Sequence, residues 1–247
     1  MRFTAAIRAK VERQLAQKLS PEQIVGVAVR AGRDMVSHER IYQHIWQNKK
    51  CGGHLHERLS TRGKPYRKRG AAKDSRGIIK DRVGINQRPT VVERRKRFGD
   101  LEMDTIIGRK HKGAIVTIND RASGILLMRK VPRKESGLVA QAAIEALRPW
   151  KPLLHRATSD NGKKFADHQL IARKLQLDFF FAKPYHSCER GSNENLNGLI
   201  RQYIHKQTDF DTLTDEFIQY VQDQINSRPR KHFIFDTPSN EFNRLTR

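Results

Sequence analysis

The sequence predicts an α/β protein: a mixed five-stranded sheet with helices, preceded by a small all-helical module and a basic linker. Three observations carry that expectation. Apolar residues recur at helical spacing over the first fifty positions, periodicity gives way to Gly, Arg and Lys between 51 and 97, and from residue 100 short strand-like runs alternate with helical ones. The expected domains are therefore 1–50, 51–97 and 98–247.

In the first module, Ile7, Val11 and Leu15 stand four residues apart among Arg, Lys, Glu and Gln, which draws one apolar stripe along a helix. Ser20, Pro21 and Gln23 combine an N-cap, a proline at the first helical position and a capping-box partner. A second helix starts there, turns Ile24, Val27 and Ala28 inward and ends near Gly32. Ser37 caps a third, with Ile41, Tyr42, Ile45 and Trp46 on its packed face. Two short helices with a brief Gly-containing connection match a helix-turn-helix. In that geometry the start of the last helix faces DNA, and Ser37, His38, Arg40, Gln43 and His44 are the expected contacts. An ordinary three-helix bundle would show the same pattern; the charge next door favours DNA.

That charge is large. The chain carries a formal +23 with a pI near 10.5, which calls for a polyanionic partner, and a nucleic acid is the natural one. From 58 to 97 there are 15 basic residues against three acidic ones, so about half of the net charge lies in this stretch. Such a run either solvates itself or lies along phosphates. No apolar run is long enough to span a bilayer and the opening residues lack the features of a secretory signal. The expectation is a soluble protein of the cytoplasm whose Cys51 and Cys188 are free thiols.

The strand-like segments are 101–109, 114–119, 125–131, 155–159 and 177–182, and helical patterns occupy 136–147, 167–175, 193–205 and 212–226. A meander of three strands, then alternating helix and strand, then two helices is the order of an RNase H-like fold.

Three acidic residues stand out in it. Asp104 lies inside the first strand, sharing a face with Glu102 and Ile106, and a carboxylate in a central strand needs a cation to meet it. Asp160 ends a strand ahead of Asn161 and Gly162, which alone reads as a turn. Glu194 opens a helix, which alone reads as dipole stabilisation. Taken together, the stretch 102–108, S-D-N-G-K-K-F at 159–165 and E-R-G-S-N-E-N-L-N-G-L-I-R-Q-Y at 189–203 closely resemble transposases of the insertion sequence 30 family. These are DDE transposases, which share a fold with retroviral integrases. The 33 residues between Asp160 and Glu194 match the separation of the superfamily's second and third carboxylates. The resemblance extends over nearly the whole chain, through S-P-E-Q-I-V-G, V-S-H-E-R-I-Y, the lead-in at 87–100 and the closing N-S-R-P-R-K-H with Thr237 and Pro238. Leu101 and Cys188 depart from it where many relatives have Trp, and Ile234 where Gly is common. It also implies an additional N-terminal helix-turn-helix ahead of the segment that opens this chain.

The resemblance implies that Asp104, Asp160 and Glu194 are the catalytic residues and the ligands of two Mg2+ or Mn2+ ions, with Asp104 shared. Asn161 and Arg201 become DNA-contact residues, Arg201 standing seven positions after Glu194. The implied partners are double-stranded DNA, both the terminal inverted repeats of an element and its target, and further copies of the chain on that DNA. The chemistry agrees: two hard cations on oxygen ligands activate a water or a 3′-hydroxyl and stabilise the leaving oxygen. Three converging carboxylates repel one another without cations.

Competing constellations are weaker. Cys51, His54 and His56 lack a fourth nearby zinc ligand, and His186, Ser187 and Glu189 are too close in sequence to adopt triad geometry. Two other functional classes stand beside the transposase: a truncated, non-catalytic relative that occupies element ends and represses transposition, and an RNase H-type nuclease, which would not need residues 20–47.

Overall fold

The computed structural model describes residues 2–60, 79–183 and 191–247, the side chains of His111 and 191–194 excepted. The chain forms two compact units, one of Met1–Gly70 with Ser227–Thr237 and one of Ala71–Asn226 with Pro238–Arg247.

The helical unit holds α1 (Ala5–Ala16), α2 (Pro21–Arg30) and α3 (His38–Lys50). Each is capped by a hydroxyl: Thr4 accepts from the Ile7 amide, Ser20 from Gln23 and Ser37 from Arg40. At α2 the box is reciprocal, since the Gln23 side chain accepts from the Ser20 amide at 2.9 Å. Val11, Leu15, Ile24, Val36, Ile41, Ile45 and Leu59 form its core.

Residues 227–237, expected with the catalytic domain, pack in this unit instead. Gln23 donates to the Pro229 carbonyl at 2.6 Å, while the buried Arg228 donates to the Lys18 carbonyl and to Gln23 Oε1. The Phe235 ring lies over Gly26, where a Cβ would stand 2.3 Å from it. A mid-helix glycine, ordinarily unfavourable, is thereby explained by the ring it admits.

The sheet unit has five strands in the order β3-β2-β1-β4-β5. β1 (Asp100–Ile107), β2 (Ala114–Asp120) and β3 (Leu126–Val131) form the antiparallel meander; β4 (Arg156–Ser159) runs parallel to β1, and β5 (Asp178–Phe181) parallel to β4. The helices are α4 (Ser136–Leu147), α5 (His168–Leu175), α6 (Gly191–Ile200), α7 (Asp215–Asn226) and α8 (Pro238–Leu245). Alternation along β1 sends its side chains to two cores. Leu101 and Met103 join Val139 and Ala143 of α4 and Ile171 of α5, whereas Ile106 joins Leu196 and Ile200 of α6 and Ile218, Val221 and Ile225 of α7. Cover on both faces explains why β2 is buried at every position.

Both sheet edges are engaged. Along β3, Asn226 of α7 accepts from the Leu126 amide and donates to its carbonyl, at 2.8 and 2.9 Å, and Gln222 accepts from the Met128 amide at 2.8 Å. Along β5, the Phe181 amide donates to the Val83 carbonyl at 2.9 Å. Part of the stretch read as linker is therefore integral to the sheet unit: Ile79 joins its core, and Arg88 is buried with Nη1 donating to Thr158 Oγ1 at 2.9 Å.

Candidate active site

The parallel register of β1 and β4 aligns Met103 with Ser159, so the next residue of each chain segment is an aspartate: Asp104 within β1 and Asp160 just beyond β4. Two carboxylates separated by 55 residues thus meet at one end of the central strand pair. Between them stands a cation supplied by the chain. Lys164 Nζ lies 2.7 Å from Asp104 Oδ1 and 3.1 Å from Asp160 Oδ2, and its side chain is only 4% exposed.

Backbone amides hold one oxygen of each aspartate. Asp104 Oδ1 accepts from the Thr105 amide at 2.7 Å, and Asp160 Oδ1 accepts from the Gly162 amide at 2.9 Å. The carboxylate of Asp160 approaches Gly162 so closely that a Cβ there would stand 2.9 Å from Oδ1. Lys164 belongs to the short helical turn Lys163–Phe165 that follows this glycine, and its ammonium sits 5.2 Å from the Phe165 ring centroid.

From above, α6 supplies Asn197, whose Nδ2 donates to Asp104 Oδ2 at 3.3 Å and whose Oδ1 is buried without a hydrogen-bond partner. Glu194 occupies the position three residues earlier on the same helix, hence on the same helix face as Asn197; its side chain lies outside the described residues. Among the described residues no three His, Cys, Asp or Glu side chains group as metal ligands. The donors that do converge nevertheless fit a hard divalent ion: they are carboxylate oxygens, and the space between the two carboxylates already holds a positive charge.

The other carboxylates nearby are committed elsewhere. Glu102, two residues before Asp104 on the same face of β1, is 1% exposed and paired with the equally buried Arg121, which also donates to Glu93 at 2.9 Å. Asp120 accepts from the Gly99, Ala122 and Ser123 amides and the Ser123 hydroxyl; burial pushes its pKa up against the pull of those donors.

No family model matches the chain. It is 51% identical over 243 residues to the transposase for insertion sequence element IS4351 of Bacteroides fragilis, covering 98% of this chain and 74% of that protein. The chain belongs to the IS30 family of transposases. The transposase for IS1086 of Cupriavidus metallidurans is 33% identical, over 91% of this chain and 68% of that one, and the IS30C transposase of Escherichia coli is 31% identical over 94% and 63%. Among solved structures, a chain of the simian T-cell lymphotropic virus intasome in complex with PP2A regulatory subunit B56 gamma has a TM-score of 0.50 at 18% identity, covering 70% of this chain and 59% of that one. That likeness is one of fold, and the mixed five-stranded sheet is the RNase H-like, integrase-type arrangement expected from the sequence.

In this family member the other expected contact residues fare unevenly. Asn161 is buried, donating to the Ala182 carbonyl and accepting from Arg82, both at 2.6 Å, so it ties the ends of β4 and β5 to the lead-in segment. Arg201 follows the last residue of α6, and its guanidinium donates to the carbonyls of Ile107 at 3.0 Å and His205 at 3.1 Å. Burial holds its pKa below the usual arginine range. The helix ends one residue before it, and the structure turns its side chain onto backbone carbonyls.

On α3, Arg40 and Gln43 are exposed and joined at 3.0 Å, His38 is half-buried against Glu39, and Ser37 is occupied as the cap. His44 turns inward to Glu12 at 2.8 Å and to the edge of Phe3, whereas Trp46, expected on the packed face, is 39% exposed beneath Lys49. Cys51 is a free, exposed thiol, and His54 pairs with Glu57. Cys188, His186, Ser187 and Glu189 lie outside the described residues.

Sequence reasoning missed Lys164 and Asn197. Both carried a signal: Lys164 stands four residues after Asp160, and Asn197 three after Glu194, the spacings that bring side chains together on a helical turn.

Proposed function

We propose that the chain is a DDE transposase that cuts DNA at the ends of an insertion element and joins those ends to target DNA. The convergence of Asp104 and Asp160 on one cation, from strands far apart in sequence, carries this reading. In it, Asp104, Asp160 and Glu194 would hold two Mg2+ or Mn2+ ions, with Asp104 as the ligand common to both, and bound ions would supply activation of the attacking hydroxyl and charge stabilisation for the leaving oxygen. The chain's own groups orient the ligands: the Thr105 and Gly162 amides hold one oxygen of each aspartate, and Asn197 steadies the other oxygen of Asp104. Membership of a family whose near relatives are named transposases speaks against a non-catalytic repressor.

The helical unit supports DNA binding through α3, where Arg40 and Gln43 are outward and Ser37 and His38 open the helix; His44 drops out of that surface. The basic stretch around residues 58–97 adds phosphate affinity, so binding weakens with salt. Several copies act on paired DNA ends, in the cytoplasm; among the described residues no helix is long and apolar enough to cross a membrane. The test is strand cleavage and joining of element-end DNA with Mg2+ or Mn2+. Asp104→Asn, Asp160→Asn and Glu194→Gln are each expected to lower both by orders of magnitude while DNA retardation persists. Cleavage at the unmodified rate by any of the three removes that residue from the set.

A further inference from the structure

A buried lysine that bridges both aspartates of a candidate metal site is an unusual arrangement. Lys163 next to it is exposed, as surface lysines are, whereas Lys164 is buried and directed at the point where Asp104 and Asp160 converge. We propose that Lys164 is a resident counter-cation: its ammonium keeps the place between Asp104 and Asp160 that a divalent ion takes, and metal loads by displacing it. The proposal rests on the metal-dependent reading above and adds a residue to it.

Three physical points support displacement over coexistence. The ammonium uses Asp104 Oδ1 and Asp160 Oδ2, the two oxygens that bracket the site, while Asp160 Oδ1 is already held by Gly162. A magnesium ion sits about 2.0–2.1 Å from its oxygen ligands, so an ion bound to that pair would stand against the ammonium with like charge. Lysine, finally, is a point charge on a flexible four-carbon stem, able to swing away where an arginine fork is held by several bonds; the short turn Lys163–Phe165 carries it, and its ammonium otherwise meets the Phe165 ring among the described residues. Without metal the lysine prevents the repulsion of two adjacent carboxylates. With metal it becomes a free cation at the mouth of the site, available to a DNA phosphate.

The experiment measures Mn2+ affinity of the full chain by the loss of the free-ion electron paramagnetic resonance signal, with thermal unfolding read alongside. Lys164→Gln is expected to bind Mn2+ at least tenfold more tightly than the unmodified chain, to be less stable in chelator, and to gain more in unfolding temperature from Mn2+. Adding Asp104→Asn to it should abolish the gain. Lys164→Met, which retains the apolar stem, supplies the same comparison if the glutamine variant is unfolded without metal. Equal or weaker Mn2+ binding by the folded variant overturns the displacement proposal and leaves the metal-dependent reading standing. Absence of Asp104-dependent Mn2+ binding in every variant overturns that reading itself.

Discussion

Replacing Arg121 by methionine strips Glu102 of the buried cation that bonds it directly, and the consequence can be worked from the structure. Both side chains are at most 2% exposed, and the neighbouring buried Arg88, which also feels the charge of Glu102, is bonded to Thr158 and Glu93 and makes no hydrogen bond to Glu102 among the described residues. At an effective dielectric of about 20, unit charges about 4 Å apart attract by about 4 kcal/mol, and breaking a buried pair by removing one partner destabilises by about 3–5 kcal/mol. The link to exposed Glu93 adds little, because solvent screens it. The loss is thus expected near 3–4 kcal/mol, a large share of the roughly 5–15 kcal/mol typical of a domain. Each unit carries one tryptophan, Trp46 or Trp150, and Trp150 packs against Phe98 and Phe242 in the sheet unit. In a Trp46→Phe background, urea unfolding followed by Trp150 fluorescence therefore reports the sheet unit alone. The double variant Glu102→Gln with Arg121→Met removes both charges and should regain at least half of the loss. If Arg121→Met alone lowers stability by less than about 1 kcal/mol, the pair is not the buried charge lock described.

Other substitutions separate positioning from contact. Asn226→Ala leaves the Leu126 amide and carbonyl without partners and should destabilise the sheet unit by about 2–4 kcal/mol, since a buried unsatisfied group costs about 1–3 kcal/mol; protection of the Leu126 amide in hydrogen exchange should fall with it. Gly26→Ala drives a methyl into the Phe235 ring, and overpacking of this kind costs about 1–3 kcal/mol, visible as earlier unfolding in Trp46 fluorescence. Arg201→Ala is expected to lower the thermal stability of the sheet unit, with unchanged affinity for short duplex DNA; the reverse pattern would restore Arg201 as a DNA contact.

How much of this could be read beforehand depended on the distance over which each residue acts. Helix caps, the meander and the alternation that puts Asp104 with Glu102 and Ile106 are local, and the sequence carried them down to the reciprocal box at Ser20. The division of labour between Glu102 and Asp104 was not local: it is decided by Arg121 and Lys164, 19 and 60 residues away. Nor could periodicity show that 227–237 joins α2, because the recognition lies in Gln23 and in the absent side chain of Gly26. His44 and Trp46 exchange their expected surroundings for a similar reason, since an acid on α1, Glu12, draws the histidine in.

The side chains of α7 lie along β3 as an imitation strand, offering Leu126 and Met128 the bonds that another chain would otherwise supply. At the far side Val83 does likewise for Phe181. If several copies gather on paired DNA ends as proposed, their local concentration rises far above the average in the cell, the condition under which bare strands recruit one another into aggregates. Here such recruitment meets groups already satisfied. Crowding of copies on DNA would then leave their sheets separate, because the edge groups at Leu126, Met128 and Phe181 already have partners within their own chain.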